Sequence, residues 1–281
     1  MGLELFKAEL EAIRERILVY SYSGFGKSRL ITSLPNTPKW GQGPDSILYY
    51  PADNNAEFLG STLPHYRDRI AVLRPKGDDP IANFTAFATT NWRERFPNAR
   101  TMIVDAYSTL MFRIMLYCAN NGMMSQETHY VIGVPGTTGS QAIPNRSDYF
   151  AVQNLSRNLL DLMFENQKDM NIIFAFHEDI TMAEGVGSIS GPSHPGKTMA
   201  LEIPGRFDTV VRLVREPTIT PEGEVKMQVF AVTASNGQFV AKIRESGATG
   251  NPIPKVLLDN DPVNFWKLYD AVNQPQTQET T

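Results

Sequence analysis

The sequence predicts an α/β fold, a mostly parallel twisted sheet flanked by helices, with an antiparallel extension toward the C-terminus. Two observations lead there. Short apolar, partly β-branched runs alternate with helical stretches from residue 17 to residue 176, as expected of strands buried on both faces and joined by crossover helices. Later, Asp208–Val214 and Val225–Thr233 are joined through Thr220-Pro-Glu-Gly223, which is turn chemistry for antiparallel neighbours.

The elements follow in order. Residues 5–16 have the spacing of an amphipathic helix, so residues 1–16 are expected to form an N-terminal helical lead-in to a core spanning 17–272. Ile17-Leu18-Val19-Tyr20 is the first strand. The next helix carries Leu30, Ile31 and Leu34 on one face and stops at Pro35. Ile47–Tyr50 and Ile70–Leu73 are the second and third strands. A helix over about Ile81–Arg95 leads to the fourth, Thr101–Asp105.

A helix over Ser108–Ala119 precedes a Gly-, Asn-, Pro- and Thr-rich excursion, residues 120–147. A long helix from Tyr149 to about Lys168 then enters the fifth strand, Ile172–Phe176, which ends at His177. Residues 180–205 look irregular. A helix over Val263–Val272 closes the core, and the polar residues 273–281 are expected to be a disordered tail.

Composition sets limits. Hydrophobic residues make up 42% and charged residues 20% of 281 positions, enough apolar material for a large core. No apolar run approaches a membrane span, and the mixed-charge start is unlike a signal peptide. A single cysteine, Cys118, excludes an intrachain disulfide and points to a reducing, cytoplasmic setting. The four histidines lack metal-like spacing with acidic or sulfur ligands. A net charge of −4 argues against a basic nucleic-acid coat, though not against a local basic track such as Arg93, Arg95 and Arg100.

Two segments have the outline of a phosphate-binding loop. Gly191-Pro-Ser-His-Pro-Gly196-Lys197-Thr198 satisfies G-x-x-x-x-G-K-[ST] in full, whereas Ser21-Tyr-Ser-Gly24-Phe-Gly26-Lys27-Ser28 has serine in place of the first glycine. The pattern is shorthand for geometry, namely a buried strand feeding a loop of backbone N–H groups that opens a helix. Residues 17–34 supply strand and helix. Around Gly191 no buried strand precedes the loop, and Pro204 stops any helix within two turns. The first loop is therefore the expected cradle, with Ser23, Gly24, Phe25, Gly26, Lys27, Ser28 and Arg29 lining it.

Phosphoryl transfer from a nucleoside triphosphate rests on positioning and charge neutralisation. Lys27 is expected to reach the terminal phosphates, while Ser28 and Asp105, which ends the fourth apolar strand in the Walker B manner, hold Mg²⁺. A strand-end aspartate also serves as a helix cap, so the pairing with the loop carries the assignment. Asp53, just past the second strand, is favoured as the carboxylate orienting the attacking water, with Glu57 as the alternative. His177 stands where it can sense the γ-phosphate, and a structural histidine is the competing reading.

Taken together, Tyr20–Ser28, Thr101–Leu110, Ile172–His177, Phe207–Arg212 and Ala241-Lys242-Ile-Arg244 resemble the small phage-type RecA-like P-loop ATPases, single-domain relatives of RecA and RadA recombinases. The resemblance spans roughly residues 17–270. It implies an ATP- and Mg²⁺-dependent hydrolase that works as a homo-oligomeric ring or filament on single-stranded DNA in recombination or replication. A single-strand-binding protein is a further implied partner, and no membrane is involved.

The resemblance also implies that Lys242 and Arg244 act in trans on a neighbour's γ-phosphate. Residues 120–147 and 180–200 are implied to face DNA, with Lys197, His194 and Arg146 toward phosphates and Tyr130 toward a base. Ser21, and an aspartate where RecA carries glutamate, depart from the family pattern. Competing functions are a nucleotide or small-molecule kinase, which needs an arginine-bearing lid, and a slow-turnover ATP-dependent scaffold.

Overall fold

Apolar residues at successive positions leave these strands no polar face, so the sheet they form must be covered on both sides. The computed structural model describes residues 14–52, 62–121, 131–133, 140–183, 187–236, 238–243, 255–258 and 261–273. Its main strands are β1 (Arg16–Ser21), β2 (Ile47–Pro51), β3 (Ile70–Val72), β4 (Thr101–Asp105), β7 (Asn171–Ala183), β9 (Thr209–Ile219), β10 (Val225–Val232) and β11 (Val256–Leu257). Across the sheet the order is β11-β10-β9-β1-β7-β4-β2-β3. Pairing is parallel from β3 to β9, while β10 and β11 add antiparallel. This is the fold class expected from the sequence.

Side chains alternate between two buried layers. Leu18, Tyr20, Leu48, Met102, Val104, Phe174 and Phe176 face one side. There they meet α2 (Pro80–Thr89), α4 (Tyr107–Asn120) and α5 (Arg146–Asn166) through Phe84, Ile114 and Met163. Ile17, Val19, Ile47, Ile103, Ile173 and Val211 face the other side, against Leu30 of α1 (Lys27–Thr32) and Trp266 of the closing helix α7 (Val263–Asn273). Trp266 lies 5.2 Å from Trp40, and its indole N–H donates to the Leu30 carbonyl at 2.9 Å. The last helix thereby buttresses the first.

Several expected boundaries move. The helix expected over Ile81–Arg95 is two helices, α2 and α3 (Trp92–Arg95). Thr90 between them is extended, and Gln167 Nε2 donates to the Ala88 and Thr90 carbonyls at 2.9 Å each, satisfying the groups the break frees. α5 starts at Arg146 rather than Tyr149 because Asn145 and Asp148 form a capping box. Within the 120–147 excursion, β5 (Val131–Gly133) and β6 (Ser140–Ala142) form a small antiparallel pair.

Residues 180–205 are not irregular, which corrects the sequence reading. β7 continues to Ala183 and folds back antiparallel as β8 (Gly187–Pro192), followed by α6 (Lys197–Glu202) and a 3₁₀ turn at Ile203–Arg206. Ile180 and Met182 are exposed on this ribbon, so it lacks the buried apolar run that identified the other strands.

The expected N-terminal helix lies outside the described residues up to position 13, as does the tail from 274. Arg93, Arg95 and Arg100 are engaged separately: Arg93 pairs with Asp169 at 2.8 Å, Arg95 lies over Trp92, and Arg100 donates to the Pro97 and Ala99 carbonyls. Cys118 is fully buried, and burial pushes its thiol up to about 11, the condition of an inert structural cysteine.

Candidate active site at the carboxyl edge of the sheet

β1 delivers the chain to the carboxyl edge of the parallel strands, where loops rather than side-chain packing set the chemistry. The turn into α1 needs left-handed backbone at Gly24 (φ +79°) and Gly26 (φ +87°). No heavy atom lies within 4 Å of a Cβ built at either position, so the demand for glycine is torsional. Gly26 caps α1 with no side-chain hydrogen bond, which leaves the first-turn N–H groups without a side-chain cap. Phe25 packs partly against the α1-side core and meets Tyr22 edge-on at 6.0 Å.

Lys27 is buried and folds back on the strand exit. Its Nζ donates to the Ser21 carbonyl at 3.0 Å, the Tyr22 carbonyl at 3.1 Å and the Ser21 Oγ at 3.3 Å. Burial pulls its pKa down to about 8, against the opposing pull of the Asp105 and Glu178 carboxylates. Ser21, where the formal pattern has glycine, thus supplies two of the three acceptors for the lysine.

Asp105 closes the other side. Its Oδ2 accepts from Ser28 Oγ at 2.5 Å and from Tyr49 OH at 2.6 Å. A hydroxyl and a carboxylate in contact form a hard oxygen pair, the donor chemistry that suits Mg²⁺ held jointly by protein and phosphates. Among the described residues no cluster of three or more metal-type ligands exists, and such a shared site does not require one.

His177 stands beside Ser21 in the β1–β7 register. Its backbone N–H donates to Ser108 Oγ at 2.9 Å, and its carbonyl accepts from Ser193 N–H at 2.7 Å. Arg29, on the first turn of α1, is half-buried, and Ser23 is exposed in the loop. Asp53, Glu57, Arg244 and Tyr130 lie outside the described residues. Ala52, next to Asp53 in the chain, has its N–H on the Asp105 carbonyl at 2.7 Å and its own carbonyl on Arg113.

Lys242 is not joined to Lys27 or Asp105 by any contact among the described residues. It pairs backbone to backbone with Val210, and burial lowers its pKa despite Asp208. The full-pattern segment is built differently from Ser21–Ser28. Gly191 belongs to β8, an antiparallel ribbon strand rather than a buried parallel one. Gly196 has φ +108°, and a Cβ there would sit 2.1 Å from Gln153 Nε2, so this glycine serves a turn packed on α5.

Sequence reasoning missed Glu178, Arg212 and Tyr49. Glu178 Oε1 accepts from Arg212 at 2.6 and 3.1 Å across the end of β1, and Arg212 lies 4.6 Å over the Phe239 ring. Glu178 Oε2 is buried without a hydrogen-bond partner. The available signal was a charge within or directly after an apolar strand, in Phe176-His-Glu178 and Val211-Arg-Leu213, since buried charges need partners. Tyr49 gave no signal, because an apolar tyrosine in a core strand reads as packing.

No protein-family model matches the chain, and no curated protein matches it. Among solved structures it is similar to a KaiC-like protein from the hyperthermophilic archaeon Pyrococcus horikoshii, at 12% identity and a TM-score of 0.49, over 89% of this chain and 87% of that one. It is also similar to an ATPase from the type III secretion system of pathogenic bacteria, at 15% identity and a TM-score of 0.42, over 72% of this chain and 52% of that one. The assembled ATPase EscN of the enteropathogenic E. coli type III secretion system is similar at 17% identity and a TM-score of 0.42, over 72% of this chain and 42% of that one. The chain spans about half the length of those two secretion-system proteins, or less.

Proposed function

We propose that the chain binds and hydrolyses ATP with Mg²⁺ at the Ser21–Ser28 loop. The observation carrying this reading is the convergence of Lys27, Ser28 and Asp105 at one sheet edge, with Ser28 Oγ 2.5 Å from Asp105 Oδ2. In this reading Lys27 leaves the Ser21 and Tyr22 carbonyls for the terminal phosphates, and Gly24 and Gly26 let the backbone approach them. Ser28 and Asp105 hold Mg²⁺, which when bound neutralises charge on the phosphate oxygens. Tyr49 fixes the Asp105 carboxylate. Asp53, the residue after Ala52 in the chain, orients the attacking water, and His177 reports on the γ-phosphate.

The finer reading is an oligomeric RecA-like ATPase acting on single-stranded DNA, with Lys242 and Arg244 contributing to a neighbour's site. The sequence resemblance supports it. Against the kinase alternative, Arg206 and Arg157 are engaged in ion pairs with Asp161 and Glu202.

An ATPase assay with and without single-stranded DNA, beside a sizing measurement, tests both levels. Lys27→Ala should abolish hydrolysis while Lys197→Ala leaves nucleotide affinity intact, and the reverse result would overturn the site. Absence of DNA stimulation would reject the finer reading alone.

A further inference from the structure

Tyr20, next to Ser21 in β1, is fully buried. Its hydroxyl donates to the Val240 carbonyl at 2.7 Å, a bond between residues 220 positions apart. Burial raises the pKa of the phenol well above its ordinary value, so the group stays a donor. Val240 is thereby fastened to the strand that delivers the phosphate loop.

A second fastening comes from β9 and β7. The Arg212 guanidinium lies 4.6 Å over the Phe239 ring, a cation–π contact. Glu178, next to His177 in β7, receives two N–H donors of that guanidinium on one oxygen, at 2.6 and 3.1 Å. Both side chains are largely buried, so the flat cation is held in one orientation over the ring.

The backbone of the same segment is tied at both ends. The Ser190 carbonyl of β8 accepts from the Val240 N–H at 3.2 Å, and the Ser190 N–H donates to the Gln238 carbonyl at 2.8 Å. Val210 of β9 exchanges both bonds with Lys242, at 2.7 and 3.1 Å. Backbone pairs accept any residue, so they leave register to be set by side chains. Tyr20 and Arg212 grip the successive residues Val240 and Phe239, and Lys242 follows two positions on. Both grips arise beside Ser21 and His177, at the strand ends that form the candidate site.

We propose that Tyr20 and Arg212, with Glu178 orienting the guanidinium, are positioning residues that set where Lys242 meets a neighbouring subunit's nucleotide. This rests on the oligomeric reading of Lys242 given above. The clamp belongs to one subunit, and the turnover it governs belongs to the next.

Tyr20→Phe removes the hydroxyl and keeps the ring, while Arg212→Lys keeps a charge beside Glu178 and loses the flat cation over Phe239. Both variants retain Lys27, Ser28 and Asp105. The Kd of each for a non-hydrolysable ATP analogue should stay within about twofold of the parent, and kcat of the assembled protein should fall about fivefold. The deciding measurement mixes each variant with Lys27→Ala, which is expected not to hydrolyse ATP but keeps the clamp intact. A Tyr20→Phe site beside a Lys27→Ala subunit receives a correctly placed Lys242, so turnover per Tyr20→Phe chain should rise on mixing. Damage to the variant's own loop would not be repaired by a neighbour.

Lys242→Ala, mixed in the same way, reports on the underlying reading. If it turns over like the parent, or is impaired without rescue, the trans role falls and the clamp with it. If Lys242→Ala is impaired and rescued while the two clamp variants lose no turnover, or lose it without rescue, the clamp alone is wrong.

Discussion

The Lys27 ammonium donates to the Ser21 carbonyl at 3.0 Å and to the Ser21 hydroxyl at 3.3 Å, so the residue that breaks the phosphate-loop pattern holds the residue that defines it. A lysine in that position is desolvated and partly compensated by neutral dipoles. Its charge is therefore conditional on what else enters the loop.

That condition is measurable as a proton. Lys27 has a pKa of about 8, down from an ordinary 10.5, because it is buried. Phosphates beside it favour the charged form and raise the pKa again. Near pH 8 the free protein carries about half a proton there, so ATP binding should take up about half a proton, and more as pH rises toward 9. Calorimetry in two buffers of different ionisation enthalpy reads the uptake directly. Identical heats in both at pH 8 would contradict the assignment.

Ser21→Gly restores the formal pattern and should cost stability. It deletes the partly buried hydrogen bond from Ser21 Oγ to the Tyr22 carbonyl at 2.9 Å and adds backbone freedom within a strand. The expected loss is about 1–2 kcal/mol in urea unfolding. Two carbonyl acceptors remain for Lys27, so ATP affinity should stay within about threefold.

Glu178 and Arg212 form a largely buried pair, with side-chain exposures of 1% and 18%. Arg212→Ala leaves an uncompensated carboxylate whose other oxygen already lacks a partner. The variant should lose about 3 kcal/mol or more, and Glu178→Leu with Arg212→Leu should recover most of it. A double-mutant cycle by denaturation checks the coupling. Additive losses would show that the pair does not act as a unit.

Trp266→Ala should destabilise by about 3–5 kcal/mol, since the ring is fully buried against Trp40, Phe265 and Tyr269. Trp266→Phe keeps most of the packing and loses the bond to the Leu30 carbonyl, for about 1 kcal/mol. The urea midpoints of the two variants separate packing from hydrogen bonding. Equal losses would argue that the indole N–H matters more than the ring volume.

The strands of the parallel sheet were legible because burial on both faces demands runs such as Ile17–Tyr20 and Ile172–Phe176, a strong and local signal. The β7–β8 ribbon was not, because Ile180 and Met182 face outward and no core constrains their spacing. The break at Thr90 depends on Gln167, seventy-seven positions away, and no local pattern announces it. The Asn145–Asp148 capping box, by contrast, stood in the sequence and identifies the true start of α5.

The sequence by itself determined the sheet class, the strand that feeds residues 21–28, and the expected pairing of Ser28 with Asp105, since each rests on residue type and short-range order. Only the tertiary structure decided where Lys27 rests, that Tyr49 shares Asp105, that Glu178 and Arg212 meet across β1, and that His194 is buried. Those relations join residues from different strands, and their energies depend on desolvation and distance, which exist only once the chain has packed.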